Sequence, residues 1–289
     1  MKKSKTIIIT ATAVLLLASC IHIAYALPEA KASDPIVPTV TLSPSNLGDS
    51  RLYNSWPLVM SLTIWKEESA APDKAVEASP QPITVKTKGK SWQDALVIEI
   101  KDKTGTVVTW PLNLIADEKP DPTLSIGSSR DVFWTLSPED TKAIPEGQYK
   151  VKITIDPKLL DEDISKKVKF ESDDYYLKVS KEPTPLPDDI QTAKDLMMAR
   201  YCFIKGDKKE AAAIIDKILA KDPECIMAYQ VKASLLSLDG KNVEAISALD
   251  TAWDVYGKKY PDACAPFDLL NQRQEILSKI QLKIIPKEE

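Results

Sequence analysis

Gly206-Asp207-Lys208-Lys209-Glu210-Ala211 is followed, 34 residues further on, by Gly240-Lys241-Asn242-Val243-Glu244-Ala245. Glycine, glutamate and alanine coincide, while Asp207 gives way to Lys241. Helical faces flank each copy, so the fixed interval describes two antiparallel helix pairs spanning Thr192 to Gly257. Ala199 and Ala233 recur in the first helix of each pair, and Ala211 and Ala245 in the second, where small side chains let helices pack closely. Upstream, Asp188 stands three residues before Gln191, which predicts a capping-box start for the helical part. Downstream, Pro266 to Ile284 predicts a final helix. Its apolar stripe is Phe267, Leu270, Leu277, Ile280 and Ile284, with Gln272, Arg273 and Lys279 turned away, and it covers the open end of the repeats.

The interval and the small-residue positions resemble the tetratricopeptide-repeat (TPR) family. The larger positions of that pattern are filled by Met198, Cys202, Ile215 and Ile218 in the first repeat, and by Tyr229, Leu236, Leu249 and Ala252 in the second. Pro223 closes the first repeat. Asp195 departs from the family pattern where an aromatic is usual, Lys232 where a leucine is usual, and Gly257 where a second proline would stand. The resemblance implies a concave groove lined by the first helices that holds a partner protein or peptide. Its lining would be Leu196, Arg200, Phe203 and Ile204, then Met227, Gln230, Ser234 and Ser237. That surface is mostly apolar with one cation, and it does not resemble the lysine- and asparagine-lined clamp for a C-terminal carboxylate. The alternative is a helical pair that packs only on the chain's own N-terminal domain.

Working outward, Lys181 to Asp189 carries Pro183, Pro185 and Pro187 and is expected to be a semi-rigid linker. From Thr39 to Ser180 the period is two. Leu58, Met60, Leu62 and Ile64 share a face, as do Leu96, Ile98 and Ile100, and Tyr149, Val151, Ile153 and Ile155 alternate with Lys150, Lys152 and Thr154. Asp102-Lys103-Thr104-Gly105 predicts a hairpin turn. Ile144-Pro145-Glu146-Gly147-Gln148-Tyr149 resembles the tyrosine corner of Greek-key sandwiches. The expected fold class is therefore multi-domain. An antiparallel, immunoglobulin-like β-sandwich over 39–180 is followed by the linker 181–189, all-α TPR-type repeats over 190–257, and a capping helix and tail over 258–289.

Residues 1–26 are expected to form an export signal, with Lys2, Lys3 and Lys5 ahead of an apolar run, and 27–38 a proline- and alanine-rich tether. Leu17-Ala18-Ser19-Cys20 resembles a lipobox, which implies lipidation of Cys20 and a membrane anchor, whereas Ala24-Tyr25-Ala26 resembles an ordinary signal-peptidase site. Both stay open, as does an uncleaved helix. The expected location is the cell envelope or beyond it.

The charge is -4, with acidic and basic residues intermixed, so no basic stripe exists and nucleic acid is not an expected partner. His22 is the only histidine, which excludes Ser-His-Asp triads, Cys-His pairs and histidine zinc sites from the mature domains. No catalytic residue, metal site or cofactor is predicted. Acid–base work by Glu139-Asp140, Asp161-Glu162-Asp163 or Asp173-Asp174 is outweighed by the commoner role of such groups as solvated surface acids. Cys202 is read as a small buried hydrophobe, with a Cys225–Cys264 bridge as an option. Trp56, Trp65, Trp92, Trp110 and Trp134 fall in the sandwich. Trp65 lies off the apolar face and is the candidate for stacking on a sugar ring. The expected function is a non-enzymatic envelope adaptor, with a carbohydrate-binding sandwich as the alternative.

Overall fold

Strand alternation and two sheet-switching segments shape the N-terminal half. A computed structural model describes residues 38–47, 51–66, 82–116, 119–126, 129–161, 168–261 and 266–284. The export signal, Cys20, most of the tether and Cys264 lie outside the described residues.

The strands are β1 (Thr39–Asn46), β2 (Arg51–Tyr53), β3 (Leu58–Lys66), β4 (Ile83–Lys86), β5 (Leu96–Asp102), β6 (Val107–Val108), β7 (Asn113–Ile115), β8 (Thr123–Ile126) and β9 (Ser129–Leu136). After a short helix, α1 (Pro138–Lys142), come β10 (Gly147–Ile155), β11 (Lys169–Ser172) and β12 (Asp174–Ser180). One sheet has the order β11-β1-β3-β9-β7, the other β2-β12-β10-β5-β6, and β4 pairs with β8 alone. Leu42, Leu58, Met60, Leu62, Ile64 and Trp134 from the first sheet meet Leu52, Ile100, Val151, Ile153 and Leu177 from the second in one buried cluster, which is the core of a sandwich.

The expectation of purely antiparallel sheets needs correcting. β1 runs parallel to β11, and β2 runs parallel to β12. Among its steps between the sheets, the chain passes from the first to the second between β1 and β2 and again between β11 and β12. The two crossings run side by side in the same direction, so each sheet inherits one parallel pair at its edge.

Local chemistry holds the expected corners. Tyr149 donates its hydroxyl to the Pro145 carbonyl at 2.8 Å, closing the tyrosine corner. Gly105 adopts φ +85 between β5 and β6, while the Asp102 carboxylate accepts from the Thr104 and Thr106 amides. Trp56, Trp92, Trp110 and Trp134 are all buried.

Five longer helices follow: α2 (Asp188–Ile204), α3 (Lys208–Lys221), α4 (Ile226–Leu238), α5 (Asn242–Lys259) and α6 (Phe267–Ile284). The interval of 34 residues, seen first in sequence, reappears as a repeated helix ending. Gly206 (φ +95) follows α2 and Gly240 (φ +76) follows α4. In each case the next amide reaches back five residues, Asp207 N to Cys202 O and Lys241 N to Leu236 O, both at 2.8 Å. Only a residue free to enter the left-handed region ends a helix this way without strain.

Two local expectations fail. Pro187, not Asp188, is the N-cap of α2, and no side chain caps it. Proline fixes the extended conformation a cap needs, and Asp188 becomes the first helical residue, 3.5 Å from Lys221 Nζ. The stripe of α6 is also rotated. Leu269 and Ile276 are buried against Leu249 and Ala252, whereas Phe267 is 75% and Leu270 43% exposed. Gln272 faces inward because its amide has polar partners on α4.

Sandwich and helices belong to one compact unit. Met197 joins the sandwich core, with Ile190 and Ala193 packed beside it. α2 packs on β3, and Val59 and Ser61, which alternation turns away from the sandwich interior, are buried. The joint is also held by Glu182, whose carboxylate accepts from Trp56 Nε1 at 2.9 Å, Ser55 Oγ at 3.0 Å and Lys194 Nζ at 2.7 Å. Burial by itself raises the Glu182 pKa, but these three donors outweigh it and hold the group below the ordinary carboxylate value.

Candidate functional site

Because α2 lies across the sandwich, part of the face it turns toward the sandwich looks into a cleft. Ile190, Ala193, Leu196, Met197 and Arg200 lie along that face, each three or four residues from another of the set. α4 contributes Met227, Gln230, Val231 and Ser234 at the same spacing, the first turns of α6 contribute Asp268 and Gln272, and the sandwich closes the space with Arg51, Tyr53 and Trp56. The cavity measures about 610 Å³.

The Gln272 amide donates to the Gln230 carbonyl and to Ser234 Oγ, both at 2.8 Å, and so ties α6 to α4. Beyond that tie a second cavity of about 670 Å³ opens over the polar outer face of the first sheet, with Ser45, Thr63 and Asp131 on one side and Ser237 and Ile276 on the other. Ser234 and Gln272 line both spaces, so the two adjoin.

Five of the eight residues expected in a groove therefore meet in the first cavity: Leu196, Arg200, Met227, Gln230 and Ser234. Ser237 lies in the adjoining one. Phe203 does not face the cleft. It sits round the helix toward α3, where it packs against the first helix pair and lies 5.7 Å beneath Lys208 Nζ. Ile204 ends α2 and takes no part in the lining. Trp65 is half-buried on the outer face of the first sheet, with its indole N–H directed at Ser43 Oγ, 3.5 Å away.

Arg51, Tyr53, Trp56, Asp268 and Gln272 were not foreseen. They converge only through tertiary packing, and no spacing in the sequence links them to α2.

Arg200 sets the electrostatics of the cleft. Its guanidinium has no ion pair or hydrogen-bond acceptor among the described residues, and burial pulls its pKa down to about 10, which leaves it charged at neutral pH. The neighbouring cations have partners of their own. Lys194 pairs with Glu182, and Arg51 donates to the Tyr53 hydroxyl at 3.3 Å. The Gln230 carboxamide, half-buried on the facing helix, is also without a partner among the described residues.

Cys202 and Cys225 are free thiols, both with pKa values raised by burial, as inert interior thiols have. Among the described residues no group of acidic, histidine or cysteine side chains has the arrangement to hold a metal. No helix there is long and apolar enough to cross a membrane.

No protein-family model and no curated protein matches the chain. Among solved structures it is similar to the CARDB domain of a Pyrococcus furiosus protein. The solution structure of that domain is 11% identical, covering 49% of this chain and 94% of the other with a TM-score of 0.26. Its crystal structure with two metal ions is 11% identical, covering 50% and 90% at 0.25. A family 123 glycoside hydrolase from Clostridium perfringens is 10% identical over 59% of this chain and 34% of its own, at 0.20. Likenesses at these scores carry no argument about what this chain does, and the sandwich assignment rests on strand order and the shared core.

The TPR assignment is corrected here. No model of that family, or of any other, matches the chain. The physical reason lies in the departures at Asp195, Lys232 and Gly257. A shared interval and similar turns produce two alike helix pairs without the family's set of contacts.

Proposed function

We propose that the protein is a non-enzymatic adaptor of the cell envelope that receives a segment of a partner polypeptide in the cleft between its sandwich and its helices. The observation that carries this is the lone guanidinium of Arg200 in a cleft with apolar walls. Arg200 is half-buried with no counterion among the described residues, so an occupant that supplies the acceptor gains a charge-assisted hydrogen bond there. Other features agree. Met227, 51% exposed at the edge of the cleft, offers an adaptable apolar surface. A space of about 610 Å³ that adjoins a second suits an extended segment with several side chains. The location is inferred from the signal-like residues 1–26.

A photoreactive residue at Met227 in the full chain, expressed in its own cells, tests the reading. Irradiation is expected to yield one discrete protein adduct, absent when the same group is placed at Val243, which is 72% exposed on α5. Identical adduct patterns from the two positions would contradict a dedicated cleft.

A further inference from the structure

We infer that Arg200 is the anion-recognising residue of the cleft and that its ligand is an aspartate or glutamate side chain in the interior of a partner segment. This rests on the adaptor reading and specifies its chemistry.

Three observations choose this ligand. The Arg200 guanidinium and the Gln230 carboxamide stand on facing helices of one cavity, α2 and α4, and neither has a partner among the described residues. A carboxylate, planar with two acceptor oxygens, fits a guanidinium fork and leaves lone pairs for an amide N–H. The charge suits a monoanion. Arg51 and Arg200 are the cations of the lining and Asp268 its carboxylate, a net charge of +1 that one carboxylate balances and a phosphate dianion exceeds. The acid is assigned to the interior of the segment and not to its end, because the second cavity, which shares Ser234 and Gln272 with the first, gives a bound chain room on the far side.

The test uses the folded full chain and an array of acetylated, amidated nonapeptides with apolar flanks of varied sequence and a central glutamate. Each has a twin with central glutamine, a twin with central phosphoserine, and a glutamine twin with a free C-terminal carboxylate. Glutamate peptides are expected to bind about tenfold more tightly than their glutamine twins. Arg200→Gln should erase that preference, Arg200→Lys should restore part of it, and Met227→Trp, which fills the cleft, should abolish binding by all. In case Arg200→Gln folds poorly, the Nε–H resonance of Arg200 in the wild-type chain is expected to shift with glutamate peptides and not with glutamine ones. Equal binding of glutamate and glutamine twins, still blocked by Met227→Trp, would overturn the carboxylate while leaving the cleft. A preference for phosphoserine or the free C-terminus would overturn it as well. Binding indifferent to Met227→Trp, or no binding by any peptide, would remove both the carboxylate and the adaptor role.

Discussion

Glu182 sits where the sandwich hands over to α2, and three donors from three segments converge on its carboxylate: Ser55 and Trp56 from the β2–β3 turn and Lys194 from the helix. Removing any one leaves the others to hold the charge, so single deletions of a donor should be mild. Neutralising the carboxylate acts on all three. Its folded pKa lies below the ordinary value of 4.5, so its contribution is complete above that value and is lost as pH falls through the lower, folded one. Acid titration of stability by circular dichroism should show a loss of about 1 kcal/mol in that window for the wild type, and much less for Glu182→Gln. An identical acid profile in the variant would mean that Glu182 does not hold the joint. Arg200, one helical face away, is the opposite case: a charge with no internal partner, which structure alone gives no reason to retain.

At the level of elements, periodicity revealed what each segment does by itself. Period two along Tyr149, Val151 and Ile153 placed β10 and its buried face, the Pro145–Tyr149 spacing placed the corner, and the interval from Gly206 to Gly240 placed two alike helix pairs. What escaped depends on neighbours distant in sequence. Val59 and Ser61 are buried on the outward face of β3 because a helix from the other half of the chain covers that side. The face of α6 was misjudged because Gln272, polar and so assigned to solvent, finds two acceptors on α4, while Phe267 stays out. Five of the fourteen residues of the cleft lining were legible in the spacing along α2 and α4. The sandwich half was not, because nothing local in Arg51, Tyr53 or Trp56 points toward a helix more than a hundred residues away. The rotated stripe makes a prediction. Ile276→Ala should cost about 3 kcal/mol in urea unfolding, and Phe267→Ala, at an exposed site, close to nothing. The reverse ranking would restore the stripe expected from sequence.

At the scale of the whole molecule, the helices do not stand apart from the sandwich as an independent module. They share its core through Met197 and its polar joint through Glu182, and the surface left uncovered between them is the cleft. In the proposed adaptor role a preformed cleft is useful because it spends less binding energy on ordering itself. In that reading Arg200, a half-buried charge with no partner among the described residues, serves binding more than stability. Arg200→Met, measured by thermal unfolding alongside adduct formation from a photoreactive residue at Met227, tests this most directly. The account predicts a variant more stable than the wild type by about 1 kcal/mol that no longer captures its partner. A variant that is less stable and captures as well as before would show Arg200 to be a structural residue, and the cleft would lose its claim to be the binding site.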